Sequence, residues 1–192
     1  SWFILGLLGA LPYIFSSVLK CQYENWFDIS SAAIFESISG FTTTGASIFV
    51  EPEKLPRAIL FWRSLTHWLG GMGVVVLFVA ILGGTGTAGK YLVTSEVTGP
   101  QPEAVRPRIR QTALLLWKIY LSLSAAEFIL LCFQGMTPFE SLCHTFGTLA
   151  TGGFSTKNTS ISYYHSFSIE LTIIIFMILA GINFNLYASL LQ

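Results

Sequence analysis

Charge is what this sequence has least of. Only 10% of its 192 residues are Asp, Glu, Lys or Arg, against about 25% in an ordinary soluble domain. The ten basic and ten acidic residues cancel. No basic surplus is left to hold phosphates, so no nucleic-acid partner is expected. Cysteine is scarce too: Cys21, Cys132 and Cys143 show neither a CxxC pair nor metal-ligand spacing. They read as packing residues rather than a disulfide framework or a metal set. No signal-peptide cleavage pattern follows the first segment. The chain opens at Ser1 inside an apolar run and closes at Gln192 just behind another, which points to a piece of a longer polypeptide.

What the chain does have is apolar length. Hydrophobic residues make up 53% of it and the mean hydropathy is +0.65. A helix crossing the hydrocarbon needs about 20 apolar residues. Four blocks approach that: Ser1–Leu19, Ala58–Leu82, Thr112–Phe133 and Ser166–Leu191. Their few charges are Arg63, Lys118, Glu127 and Glu170. Arg63 and Glu170 lie near block ends, where a long side chain is expected to reach the membrane interface.

Two shorter segments sit between these blocks, FDISSAAIFESISGFTTTGAS (Phe27–Ser47) and TPFESLCHTFGTLATGGFS (Thr137–Ser155). Both are too short to cross a bilayer and both end in a Thr/Gly run, the pattern of re-entrant elements. In the second, Thr137 is placed to cap a helix, Pro138 suits its first position and Glu140 completes a capping box. A helix from Pro138 to Leu149 would be about 18 Å long, which stops it halfway through a membrane. In the first, Ser30 or Ser31 is the expected cap and the helix should end near Phe41.

Aligned without gaps on Gly45 and Gly153, the two segments pair Ile34 with Leu142, Ser37 with Thr145, Ile38 with Phe146 and Phe41 with Leu149. The alignment also pairs Thr43 with Thr151 and Ser47 with Ser155. The expected fold is therefore an all-α membrane protein of repeated helix–pore-loop–helix units, each with a half-helix followed by an extended strand. Internal repeats of this kind are common in transport proteins. The expected boundaries are a first repeat over 1–82, a connector over 83–110 and a second repeat over 111–192. Lys90, Arg106, Arg108 and Arg110 in the connector place it on the cytoplasmic side, so the half-helices would enter from outside.

Irregular backbone at membrane depth is tolerated only where protein buries it or it lines a cavity. Carbonyl rings can replace the hydration shell of potassium. A half-helix ending just before the strand turns its negative end toward a cation there. On this basis the carbonyls of Thr43, Thr44, Thr151 and Gly152 are candidate potassium ligands. Gly45 and Gly153 are the candidate glycines that turn those carbonyls inward. On spacing alone, two ordinary polar loops behind short interfacial helices account for the same runs.

The string FESISGFTTTGAS, followed by LFWRSLTHWLGGMGVVVL, resembles the TrkH/KtrB superfamily of potassium-uptake proteins. FESLCHTFGTLATGGFST, with ILAGINFNLY near the end, resembles the next repeat of its TrkH branch. The resemblance covers nearly the whole chain. It implies potassium uptake through a pore of four such repeats, each giving one filter strand with a hallmark glycine; Gly45 and Gly153 match the first two. It further implies a homodimer in the bacterial inner membrane, a cytosolic nucleotide-binding regulatory ring protein of the TrkA kind, and two further pore repeats in the same polypeptide. It implies no enzyme activity and no cofactor, with potassium as the transported ion.

Other patterns lead elsewhere. GTGTAGKY (Gly84–Tyr91) has the look of a phosphate loop, but Tyr91 stands where a magnesium-holding Ser or Thr belongs. A flexible connector is the expectation. His67, His144 and His165 are scattered and read as structural. An intramembrane protease would need His67 or His144 beside a serine, and a non-conducting structural membrane protein is the remaining alternative. Asn158-Thr159-Ser160 fits a glycosylation sequon that a bacterial protein leaves bare. LGGMG (Leu69–Gly73) is expected to allow close helix packing. Glu51 and Glu53 follow the first filter run, either to gather cations or simply as solvated loop.

Overall fold

The computed structural model describes residues 2–16, 18–21, 23–73 and 105–182. Helix α1 spans Trp2–Phe15, α2 Trp26–Phe41 and α3 Arg57–Trp68, which runs on through a π-turn at Leu69–Gly73. Helix α4 spans Val105–Phe133, α5 Pro138–Leu149 and α6 Phe167–Gly181. No β-strand occurs among the described residues. The order is helix, half-helix, loop, helix, given twice. The phosphate-loop-like run and the end of the Ala58–Leu82 block lie outside the described residues, as does the NFNLY stretch. Helix α4 begins inside the segment expected to be connector; Pro107 falls in its first turn, where a missing N–H costs nothing.

The surface is inverted relative to a soluble protein. Phe27 is 79% exposed and Phe133 86%, while Glu36, Ser37, Thr66, His67, Glu127 and Thr145 are fully buried. Apolar side chains outside and polar ones inside suit lipid as the solvent. Within α4 the stretch Leu114–Phe133 is long and apolar enough to span a membrane, and Phe3–Phe15 and Phe167–Gly181 are shorter apolar helices.

The half-helices end where the aligned repeats say they should, at Phe41 and Leu149. Their starts differ. Helix α5 opens as expected: the Glu140 amide donates to the Thr137 hydroxyl at 3.3 Å and Pro138 holds the first position. Helix α2 opens earlier than expected, with Asn25 at the cap and no side-chain capping bond. Ser30 and Ser31 lie inside it, their hydroxyls donating back to Trp26 O and Asp28 O. That back-bonding satisfies a mid-helix serine without a cap.

Helix α1 lies against α2 because Gly6 and Gly9 leave room: a Cβ on Gly6 would fall 2.6 Å from Ile38, and one on Gly9 would strike Phe41 and Ser37. Trp62 of α3 ties the same helix by donating to Gly9 O at 3.0 Å. Helix α3 also packs on α5, so the last helix of the first repeat becomes part of the second. At its end, Trp68 donates to Ser124 Oγ of α4 at 3.0 Å and meets Phe146 of α5 and Trp117 of α4 edge-on or tilted.

Candidate functional site

Both half-helices finish in the same way. After α2, the Thr43 amide donates to Gly40 O and the Thr44 amide to Ser39 O. After α5, the Thr151 amide donates to Thr148 O and the Gly152 amide to Gly147 O. These crossed bonds form a Schellman motif, which needs a left-handed residue just past the helix. Glycine usually takes that place; here threonine does, with φ of 55° at Thr43 and 51° at Thr151. A β-branched residue in that region is strained, and such strain concentrates at functional sites. Two residues further on, Gly45 and Gly153 return to positive φ, at 75° and 87°. Each segment thus goes positive, negative, positive in φ at matching positions.

The two segments lie side by side. A Cβ on Gly45 would strike the Gly152 carbonyl oxygen and come within 3.9 Å of Gly153 Cα. Gly152 is buried, Thr43 and Gly45 half-buried, and Thr44, Thr151 and Gly153 exposed. Gly45 of the first segment thus meets Gly152 and Gly153 of the second, and both segments lie at the negative ends of their half-helices. The hydroxyls are engaged locally. Thr42 Oγ1 donates to Ile38 O and sits 2.8 Å from Thr44 Oγ1, and Thr151 Oγ1 donates to Ala150 O.

The back of this site holds what the sequence did not announce. Arg63 does not reach for the interface. It is 3% exposed and its Nε donates to Glu36 Oε1 at 2.8 Å. The expectation of a snorkelling arginine fails because a fully buried carboxylate lies within reach, and a buried charge is paired where it can be. Glu36 also accepts from the Ser47 hydroxyl and the Ile48 amide. Arg63 donates in turn to Ser47 Oγ at 2.8 Å and to Ser155 O at 3.5 Å. One ion pair thus grips the backbone following both Gly45 and Gly153. The signal was present as two intramembrane ionisable residues of opposite sign, 27 positions apart; intramembrane charges tend to pair with one another.

One turn along α3, His67 is fully buried, stacks on Phe154 at 4.0 Å and presses against Gly152. Neither ring nitrogen has a hydrogen-bond partner. His144 meets Tyr164 Oη at 3.4 Å. Among the described residues, neither histidine forms the serine pair a protease would need. Gly70 and Gly71 do serve close packing: a Cβ on Gly70 would strike the Phe41 carbonyl, and one on Gly71 would lie 3.3 Å from Ala150. The α3 backbone so passes directly behind the ends of both half-helices. At the other end of the strands, Glu53 accepts from the Asn158 amide at 2.6 Å, joining the two loops. That bond holds the Glu53 carboxyl below its usual range. Glu51 pairs with Lys54.

A family model described as TrkH, a cation transport protein, matches residues 1–192. The Trk system potassium uptake protein TrkH of Escherichia coli K12 is 45% identical over all 192 residues, and the chain covers 38% of that relative. The Trk system potassium uptake protein TrkG of the same strain is 36% identical over 187 residues. That alignment covers 97% of this chain and 37% of the relative. The crystal structure of the potassium transporter TrkH from Vibrio parahaemolyticus superposes with a TM-score of 0.73 at 39% identity, over 97% of this chain and 35% of that one. The chain thus spans little more than a third of the length of the relatives it matches.

Proposed function

This chain belongs to the TrkH family of cation transport proteins, and from that premise we propose that it supplies two of the filter segments through which a potassium-uptake protein conducts. The carbonyls of Thr43, Thr44, Thr151 and Gly152 replace water around the ion, and Gly45 and Gly153 let the backbone turn to present them. The observation that carries this is the pairing of the segments: two strands with the same alternation of φ, touching at Gly45 and Gly152. In an ordinary strand successive residues face opposite ways. Alternating the sign of φ undoes that and lets neighbouring carbonyls share a side. The half-helix ends favour positive charge at the same place, and the relatives named for potassium uptake favour potassium as that charge.

Two segments surround half of an ion. The complete site therefore takes two further repeats of the same polypeptide, consistent with the share of the relatives that this chain covers. The assembly is a homodimer in the bacterial inner membrane, gated through a cytosolic nucleotide-binding ring protein. The test is potassium and sodium uptake by the full-length protein in cells lacking other potassium uptake. Gly45→Ser or Gly153→Ser should lower potassium-over-sodium selectivity. Selectivity unchanged in both variants would overturn the filter assignment.

A further inference from the structure

Gly152 has no conformational need to be glycine. Its φ is not positive, and its counterpart in the first segment is Thr44. What it lacks is room for a side chain. The three atoms nearest a Cβ there, Nδ1, Cε1 and Cγ, all belong to the ring of His67, and Cγ would lie 2.6 Å away. The Gly152 carbonyl oxygen in turn lies against Gly45 of the first segment. Gly152 thus stands in contact with both a ring of α3 and the facing filter glycine.

The two segments are braced differently at this level. In the first, the Ser39 hydroxyl donates to Ala46 O at 2.6 Å, which ties the residue after Gly45 to its half-helix. The gap-free alignment puts Gly147 on Ser39 and Phe154 on Ala46. The approach is kept, since a Cβ on Gly147 would lie 3.1 Å from Phe154 O, but the hydroxyl is gone. Phe154 stacks on His67 instead, with ring centroids 4.0 Å apart and planes 16° from parallel. His67 therefore touches the residues on both sides of Gly153. It is fully buried, and among the described residues neither ring nitrogen has a hydrogen-bond partner. Packing alone fixes its place, and a close-packed interior passes even a small change of volume to its neighbours.

We propose that His67 is a positioning residue for ion selectivity: a flat spacer on α3 that sets where the Gly152 carbonyl stands relative to Gly45. The proposal rests on the filter reading above. Selectivity in a carbonyl filter follows from the size of the cage or from the number and field of its dipoles. Displacing one carbonyl changes both. Removing the ring lets the second segment settle back toward α3, whereas a side chain at Gly152 pushes it away. The two errors are opposite in direction, so together they should offset each other. Two unrelated losses of stability would instead accumulate.

The test measures potassium and sodium uptake by the full-length protein, per molecule in the membrane, in cells lacking other potassium uptake. His67→Ala and Gly152→Ala should each lower potassium-over-sodium selectivity about tenfold, the scale on which a small misplacement acts at a site of fixed geometry. The double variant should select about threefold better than Gly152→Ala alone, because residues in contact couple. A double variant no more selective than Gly152→Ala overturns the proposal. His67→Leu guards against simple loss of fold, since it keeps bulk without the flat face. It should reach the membrane at the wild-type level and still lose selectivity; wild-type selectivity in either His67 variant overturns the proposal. Gly153→Ser separates this from the filter reading. If it alters selectivity while the His67 variants do not, the spacer fails and the filter stands. If no variant alters selectivity, the filter reading falls with it.

Discussion

The first repeat concentrates its polar contacts behind its Thr/Gly segment, where Glu36 and Arg63 are buried together and hold Ser47. The second has no such pair, since His144 and Ile173 occupy the matching places. It concentrates polar contacts at the start of its half-helix instead, where Thr137 caps Glu140 and Lys157 pairs with Glu140 at 3.0 Å. Its strand leans on α3 of the first repeat through Arg63 and His67. The two segments adopt the same backbone with different supports. The lesson is that the backbone pattern is the invariant part, while its anchoring can be internal or borrowed.

The largest break in this comparison comes from one substitution made at both matching positions. Arg63→Met leaves the Glu36 carboxylate buried without its cation, which costs about 3–5 kcal/mol. It should lower the melting temperature of the purified full-length protein and abolish potassium uptake. Adding Glu36→Gln should recover much of the stability, because the stranded charge is gone. Ile173→Met keeps volume and polarity and should cost less than about 1.5 kcal/mol. Equal losses at the two positions would mean that the ion pair is not what holds the first strand.

Gly45 and Gly153 differ in what a side chain there would meet. An alanine at either must hold a left-handed backbone, at about 1–2 kcal/mol. Gly45→Ala adds a collision with the Gly152 carbonyl, whereas nothing among the described residues lies within 4 Å of a Cβ on Gly153. Gly45→Ala should therefore reduce potassium selectivity more than Gly153→Ala. If both collapse it equally in the full-length protein, Gly153 has a neighbouring strand of its own, as Gly45 has Gly152.

A smaller difference lies at the helix starts. Thr137→Ala removes a capping hydroxyl and should cost about 1 kcal/mol. Asn25 makes no capping bond, so Asn25→Ala should be close to neutral in a thermal melt. A comparable loss at both would show that α2 depends on its first residue after all.

Much of this was legible in the sequence, for reasons that can be named. The Thr137-Pro138-Glu140 start and the Thr/Gly end fixed α5 to the residue, because capping chemistry is local. The repeat alignment paired Gly45 with Gly153, which share positive φ, because a left-handed glycine leaves a mark in the sequence. The start of α2 was misplaced because serines that bond back within a helix look like serines that cap one. Arg63 was misread because its partner is far along the chain, and hydropathy scores a charge near a block end without asking what faces it. His67 behind Gly152 left no sign at all; only the packing of α3 against α5 brings them together.

The smallest effect separates the helix starts by pH. Burial works against the Glu140 carboxylate, but hydrogen bonds from Lys157 and Thr137 outweigh it and hold its pKa below 4.5. A carboxyl depressed in the folded state adds stability that is fully present above its unfolded value and disappears as pH falls through the folded one. Lys157, raised above 10.5 chiefly by its hydrogen bond to Glu140, adds stability that is lost only in strong alkali. The pair should therefore hold through the neutral range and loosen under acid below about pH 4.5. Both side chains are partly exposed, so salt screening keeps the contribution small. Hydrogen exchange at the first turn of α5, corrected for its intrinsic pH dependence, should rise under acid, and Glu140→Gln should remove that rise. Acid loosening that persists in Glu140→Gln would assign the effect to another group and erase this contrast with α2.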